Sequence, residues 1–250
     1  MKIAIYVTSY CETEKRHALV TSALLSLVKH SKAYDLIFVN DGSVYEKHSI
    51  FLENLVKDSD RDLVLISQKN FGVAIAKNTC IKHFIKNNYD FGFLVDDDLF
   101  YTRDIFKKYL EGYKRTGIHH FSLFVDAVRN KQHSLTFNGF NLIETEYING
   151  CFLTITRPLI YKIGGFKILP YKFGHEHSDF SIRARRSGLT RSHWYDIQDT
   201  SGIRLVRKSF LIKSISNLER EKMRLNLEIV LKSKRLFEPI IVPKEIKIDF

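Results

Sequence analysis

Short apolar runs of strand length recur at Ile3–Val7, Leu36–Asn40, Leu63–Ser67 and Phe91–Val95. Between the first two, Val20, Ala23, Leu24, Leu27 and Val28 fall at i, i+3, i+4, i+7 and i+8, one face of an amphipathic helix. Val73, Ala76, Cys80 and Phe84 do the same between the third and fourth. Strands alternating with helices predict an α/β fold, a Rossmann-like, mostly parallel sheet with helices on both faces. Such sheets bind ligands at the carboxyl ends of their strands.

The pattern then changes. A helix is predicted around Asp104–Tyr113, where Ile105, Tyr109 and Tyr113 share a face, followed by short alternating runs at His119–Val125, Ser134–Phe137 and Cys151–Thr156. This half is mixed and not a second parallel unit. A short helix is expected over Ser178–Arg186, stopped by Gly188, and a longer charged one over about Asn217–Leu236, before Pro239 and Pro243. No stretch has the composition of a linker. One domain over 1–250 is expected, with a first half at 1–100, a mixed half at 101–212 and a C-terminal helix and tail at 213–250.

Composition narrows the partners. Cys11, Cys80 and Cys151 are odd in number, far apart and set in apolar sequence, which fits buried free thiols in a reducing compartment. The first apolar run turns polar at Thr8, and nowhere do ~18 apolar residues run together. The chain therefore reads as cytoplasmic, or at most peripheral to a membrane. A net charge of +11 attracts phosphate-bearing ligands, anionic lipid or nucleic acid. The basic residues are scattered, thickening at Arg183–Arg186, Arg204–Lys208 and Lys232–Arg235 without a nucleic-acid motif, so nucleic acid is not the expected partner.

Three segments carry candidate chemistry. In Asp96-Asp97-Asp98, three carboxylates end an apolar strand, a costly arrangement unless something positive sits among them. Strand alternation turns Asp96 and Asp98 the same way, and oxygen ligands with open positions suit Mn²⁺ or Mg²⁺ shared with a diphosphate. The competing reading is an acidic turn opening the next helix. In Asn40-Asp41-Gly42-Ser43, Asp41 stands where an acid at a strand end meets a base or ribose, though Asp-Gly also marks a simple turn. In Asn70 to Asn78 a turn runs into a helix whose free amides, with Lys77 one turn inside, suit phosphate; the alternative is an ordinary helix start with a surface lysine.

Together and in this order, these segments resemble the nucleotide-binding half of family 2 glycosyltransferases and their relatives with the A-type (GT-A) fold. Tyr6-Val7-Thr8-Ser9-Tyr10 is similar to the opening strand that meets the base, and Asp96-Asp97-Asp98 to the Asp-x-Asp motif. Asn40 and Lys77 depart from the more usual acid and arginine. Downstream, Asn149-Gly150-Cys151-Phe152-Leu153 and Ile163-Gly164-Gly165-Phe166 resemble the Gly-x-Phe strand and Gly-Gly-Phe turn of these enzymes. Phe173 to Arg183 resembles the acidic segment of chondroitin polymerase-like enzymes and, more loosely, of polypeptide N-acetylgalactosaminyltransferases, with His177 where the second acid of a Glu-Asp pair stands.

The resemblance implies a metal-dependent transferase moving a sugar from a nucleotide diphosphate sugar, expected to be a UDP sugar, to a hydroxyl of a glycan, lipid-linked or protein acceptor, with inversion. Thr8, Tyr10, Asp41, Asn70, Lys77 and Asp96 would bind the nucleotide, and Asp98, Asp96 and the downstream His193 the metal. Gly164 and Gly165 would meet the sugar and acceptor, as would Asp97, directed away from the metal. Asp179 and Glu176 are the leading candidates for the base, ahead of His177. A zinc site at His175-Glu176-His177 is disfavoured because histidines two apart on a helix start diverge. The rivals are a sugar-phosphate nucleotidyltransferase, which would open with a glycine-rich loop where Thr8-Ser9-Tyr10-Cys11-Glu12 stands, and a non-catalytic basic module. Lys213–Arg235 offers a peripheral membrane contact, against which stands a packed helix with a solvated face.

Overall fold

A computed structural model describes residues 1–124, 132–146, 148–206 and 216–243. Four parallel strands, β1 (Ile3–Ser9), β2 (Asp35–Asp41), β3 (Leu63–Gln68) and β4 (Phe91–Asp96), lie in the order β3-β2-β1-β4. Strand β8 (Phe152–Thr156) adds antiparallel to β4, pairing Val95 with Phe152. All four parallel strands are expected from the apolar runs, with boundaries within two residues.

Alternation along these strands builds two cores. Ile5, Val7, Phe38, Phe93 and Val95 face one side, where α1 (Glu14–His30), α2 (Glu46–Lys57) and α4 (Phe106–Thr116) pack. Ala4, Tyr6, Ile37, Val39 and Leu94 face the other, covered by α3 (Val73–Lys86), α5 (Arg157–Ile163) and α6 (Glu176–Arg186). Cys11 and Cys80 are buried, Cys151 partly so, and all three are free thiols.

The mixed half holds a three-stranded antiparallel sheet of β6 (Gln132–Phe137), β7 (Phe140–Thr145) and β9 (Trp194–Ile197), and a two-stranded pair of β5 (Leu99–Tyr101) with β10 (Ile203–Leu205). The expected strand at His119–Val125 is reduced to one bridge, Ser122 with Leu153; Val125 lies outside the described residues. The last helix, α7 (Asn217–Lys232), opens on a Ser216/Glu219 capping box and ends four residues before the expected Leu236. The chain beyond it runs alongside α5, where Gly164 and Glu238 form a parallel bridge.

Three histidines are buried inside this frame, His48, His83 and His120, and burial pushes each down to about 4. Each is protonated in the unfolded chain below about pH 6.5 but not in the folded one, so acid removes stability between about pH 6.5 and pH 4, by up to about 3 kcal/mol per histidine. Asp196 runs the other way, because burial pushes its carboxyl up to about 7 despite donors from Tyr109, Phe124 and Ile197. Three groups outweigh one. Urea midpoints should hold near pH 7 and fall steeply below pH 6, and a flat profile there would count against this balance.

Candidate active site

The carboxyl ends of β1 and β4 meet the start of α6 over one polar cluster. Asp96, the last residue of β4, keeps 36 % of its side chain exposed. Its Oδ1 lies 3.3 Å from Nζ of Lys77, which is 1 % exposed and also donates to the Gly150 carbonyl at 2.7 Å. Thr8 Oγ1 reaches the same carboxylate at 3.5 Å. Burial pushes the Lys77 ammonium down, but Asp96 and then Glu176 outweigh it and the net movement is upward. Lys77 therefore remains a cation in a place too dry to hold one alone.

Lys77 reaches this position because α3 starts against the chain's own polar groups. The Asp41 carboxylate accepts from Gln68 Nε2 at 2.6 Å and from the amides of Phe71 and Gly72 at 3.2 and 3.0 Å, while the Val73 amide donates to the Lys172 carbonyl at 3.2 Å. Both sequence expectations change here. The amides of Phe71, Gly72 and Val73 are already used, and Asp41, buried behind them, braces the turn; burial pushes its carboxyl up against these same hydrogen bonds. Tyr10 and Asn70 stay partly open at the rim of this loop.

The three aspartates part company within two residues. Asp97 is buried, accepting from Ser9 Oγ at 2.6 Å and from Arg16 at 2.6 Å, and so does not face a sugar. Ser9 continues to His48 Nε2 at 2.8 Å, and His48 to His17 at 3.2 Å. Because Ser9 gives its proton to Asp97, it accepts from His48, whose Nδ1 must then accept from His17. Arg16 and His48 belong to no motif, and Ser9 is read in the sequence only as part of the opening strand. Only the alternation that sends Asp97 to the opposite side from Asp96 hints at a buried partner.

At the other wall, α6 begins with Glu176, 6 % exposed, whose Oε1 meets His177 Nδ1 at 3.3 Å. Its Oε2 is buried without a hydrogen bond among the described residues. Burial pushes this carboxyl up, but the His177 hydrogen bond, the His177 and Lys77 charges and the helix amide hold it down to about 2. Asp179 faces elsewhere: its Oδ2 accepts from Arg183 Nε at 2.7 Å in a fully buried pair, and Arg183 also holds the carbonyls of Ile163 and Gly165 at 2.5 and 2.7 Å. Of the three expected bases, the structure brings Glu176 and His177 to the cluster and sets Asp179 behind it as a brace.

Two other expectations shift. A Cβ on Gly164 would sit 1.7 Å from the Glu238 carbonyl and one on Gly165 2.4 Å from Asn78 Oδ1, so these glycines make room for the chain's own atoms and not for a sugar. His193 lies just before β9, nearly half exposed, 3.4 Å from Glu144 and 2.9 Å from Ser192. Among the described residues no group of three or more His, Cys, Asp or Glu side chains is arranged to hold a metal, so Asp96, Asp98 and His193 do not form a ligand set. Placing His193 on a separate sheet is the reason.

Comparison with known proteins identifies the family and the fold. Residues 5–187 match the family described as Glycosyl transferase family 2, a span that contains every element of the cluster. The chain is 32 % identical over 235 residues to an uncharacterized glycosyltransferase of Acanthamoeba polyphaga mimivirus, covering 91 % of this chain and 90 % of that protein. Among solved structures it resembles a mannosyltransferase from Pyrobaculum calidifontis in complex with GDP-Man and Mn²⁺, with a TM-score of 0.63 and 13 % identity, over 93 % of this chain and 65 % of that one. It also resembles S. aureus TarS residues 1–349 in complex with UDP-GlcNAc, with a TM-score of 0.60 and 16 % identity, over 94 % of this chain and 68 % of that one. The architecture is the GT-A fold. The family match takes glycosyl transfer over the nucleotidyltransferase and the non-catalytic module, and the chain belongs to glycosyl transferase family 2.

Proposed function

We propose that the enzyme transfers a hexosyl or N-acetylhexosaminyl group from a UDP sugar to a hydroxyl of a glycan, lipid-linked or protein acceptor, with inversion, in the presence of Mn²⁺ or Mg²⁺. The observation that carries this reading is the part-open Asp96 at the end of β4, tied to the buried Lys77 with Glu176 of α6 beyond it. A nucleotide would lie across the strand ends, its base near Thr8, Tyr10 and Asn70, with Asp41 shaping the loop from behind. Asp96 and Asp98 supply an all-oxygen donor set too small to close a coordination sphere, which suits Mn²⁺ or Mg²⁺ completed by diphosphate oxygens and water. Such an ion would neutralise charge on the departing diphosphate.

Lys77 adds a fixed positive charge beside that diphosphate at no cost of reorganisation, because Asp96 and Gly150 already hold it. For the base, the geometry favours His177. Glu176 at about 2 is a weak proton acceptor, and Asp179 is engaged by Arg183. Glu176 instead meets His177 Nδ1 and fixes the tautomer, leaving Nε2 to take the proton of the acceptor hydroxyl. The acceptor oxygen then bonds the anomeric carbon from the face opposite the diphosphate, which leaves with the electron pair of the broken C–O bond.

Stabilisation by donors tests the whole reading. A saturating UDP sugar with Mn²⁺ should raise the melting temperature, with a stabilisation of about 2.7 kcal/mol at a hundredfold excess over Kd, whereas failure of every sugar nucleotide with either metal would overturn it. His177→Ala should lower kcat by about 10²–10⁴-fold and His177→Asp restore part of the loss. Full activity in His177→Ala would return the base to Glu176. Gly150→Ala should mimic His177→Ala in part, because a Cβ there would lie 2.6 Å from the His177 ring.

A further inference from the structure

Away from the cleft, exposed apolar side chains gather in one place. Leu231, Leu236, Phe237 and Ile241 are 63, 36, 54 and 47 % exposed within one short stretch, and Tyr161 of α5 is 60 % exposed. These are five of the twelve large apolar side chains exposed among the described residues, so the clustering is not the scatter that any surface shows. Backbone pairing brings them together. The Glu238 amide donates to the Ile163 carbonyl at 3.0 Å and the Gly165 amide to the Glu238 carbonyl at 2.9 Å, laying the segment after α7 beside the end of α5.

Charge surrounds the same residues. Lys162, Arg186, Lys232, Lys234 and Arg235 are all exposed, and Arg186 reaches the Ser233 carbonyl at 2.7 Å. From Ile229 to Val242 the one acid is Glu238, which is buried and faces Lys167 at 3.8 Å. Helix α7 itself differs, because Arg224 is paired within the helix to Glu221 and Glu228 at 2.6 and 2.5 Å. Among the described residues, the basic surface without carboxylate partners therefore begins where the helix ends. Of the Lys213–Arg235 stretch, residues 213–215 lie outside the described part.

We propose that this patch seats the enzyme on an anionic lipid surface, with Phe237, Leu236, Ile241 and Tyr161 at the headgroup boundary and the five cations among lipid phosphates. Apolar burial and charge attraction act together on such a surface, each basic residue near it contributing about 1 kcal/mol. A second copy of the chain would set the same cations against one another under two-fold symmetry, and a nucleic acid would meet the charges but leave the aliphatic side chains in water. The seat is also rigid toward the cleft. The Gly164–Phe166 turn that carries it is clamped by Arg183 and by Asn78, whose Oδ1 accepts from the Phe166 amide at 2.7 Å, one residue from Lys77. Docking would thus present the cleft to the membrane in a fixed orientation. The inference goes beyond the transferase reading and does not depend on it.

Co-sedimentation of the full chain with phosphatidylcholine vesicles, with and without about one-third phosphatidylserine, tests it without donor or metal. Binding is expected to the anionic vesicles at low salt, to weaken at about 0.5 M salt, and to be at least about tenfold weaker on the neutral ones. Leu236→Ser with Phe237→Ser, and separately Lys234→Glu with Arg235→Glu, should each cut binding at least about tenfold while leaving UDP-sugar hydrolysis in free solution unchanged. Phe237→Ser alone, at an exposed position, serves if a double variant misfolds. Absence of anionic vesicle binding at low salt overturns the proposal, as does binding that neither pair alters. A dimer that the same variants disperse, or RNA binding that they abolish without any vesicle binding, overturns it by giving the patch another occupant. Donor-induced stabilisation is read separately, so failure on vesicles is distinguishable from failure of the transferase reading.

Discussion

Asp98→Asn is expected to cut kcat/KM for UDP-sugar turnover by about 10²–10³-fold and to flatten its dependence on Mn²⁺, with the folded structure intact. The argument begins with the strand end. β4 delivers Asp96 to the cleft and the chain then turns; Asp97 is drawn back to Ser9 and Arg16, while Asp98, itself buried, stays within electrostatic reach of Cys151 as Asp96 does. An amide has the shape of the carboxylate but lacks its charge, and charge is what a cation shared with a diphosphate requires. Asp96 is a poorer choice for this experiment. Its removal strands Lys77, and an uncompensated buried ammonium costs about 3–5 kcal/mol, confounding activity with stability. Steady-state hydrolysis across a Mn²⁺ titration, with thermal melts of both proteins, reads the difference. Unchanged turnover and unchanged metal dependence in Asp98→Asn would remove this residue from the metal.

Asp179→Ala is expected to destabilise the protein by about 3–5 kcal/mol, a fall of about 10 °C in Tm for a chain of this size, before any effect on chemistry is considered. The pair it breaks is buried on both sides, and its arginine is 1 % exposed. Without the carboxylate, Arg183 stays desolvated and charged, while its other donors still serve the carbonyls of Ile163 and Gly165. Loosening that guanidinium frees the turn against which Asn78 and the 238–240 segment pack. Arg183→Met should lose a comparable amount. If Asp179 were instead the base, Asp179→Asn would stay folded and fail only in turnover. Urea denaturation beside kcat measurements separates a brace from a base.

The sheet was legible because its signal is local. Four apolar runs at strand length, with two helical faces between them, specify βαβ units without reference to anything distant. The end of the last helix was not, because Lys234 to Phe237 carry on a helical composition, yet the chain leaves the helix so that Glu238 can pair with the end of α5. Within the site, residue types were readable and partners were not. Lys77 read either as a lysine for phosphate or as a surface lysine at an ordinary helix start, and only the fold shows that Asp96 and the Gly150 carbonyl hold it in the interior. Gly164 and Gly165 looked like an opening for a sugar, yet Glu238 fills the space at the first and Asn78 and Ile240 that at the second, each more than seventy positions away along the chain.

By itself, then, the sequence determined the fold class, the order of the nucleotide-side elements and the acidic strand end at Asp96–Asp98, because each rests on hydrophobic period or on motif spacing within a few residues. Tertiary structure decided which polar groups are spent on the protein itself. Asp41, Asp97 and Asp179 are chemically equivalent to Asp96 in the sequence, but each is matched by donors brought from remote segments, whereas Asp96 keeps an open face beside one buried lysine. A buried carboxylate must be paired, and the identity of the pair is a fact of three dimensions.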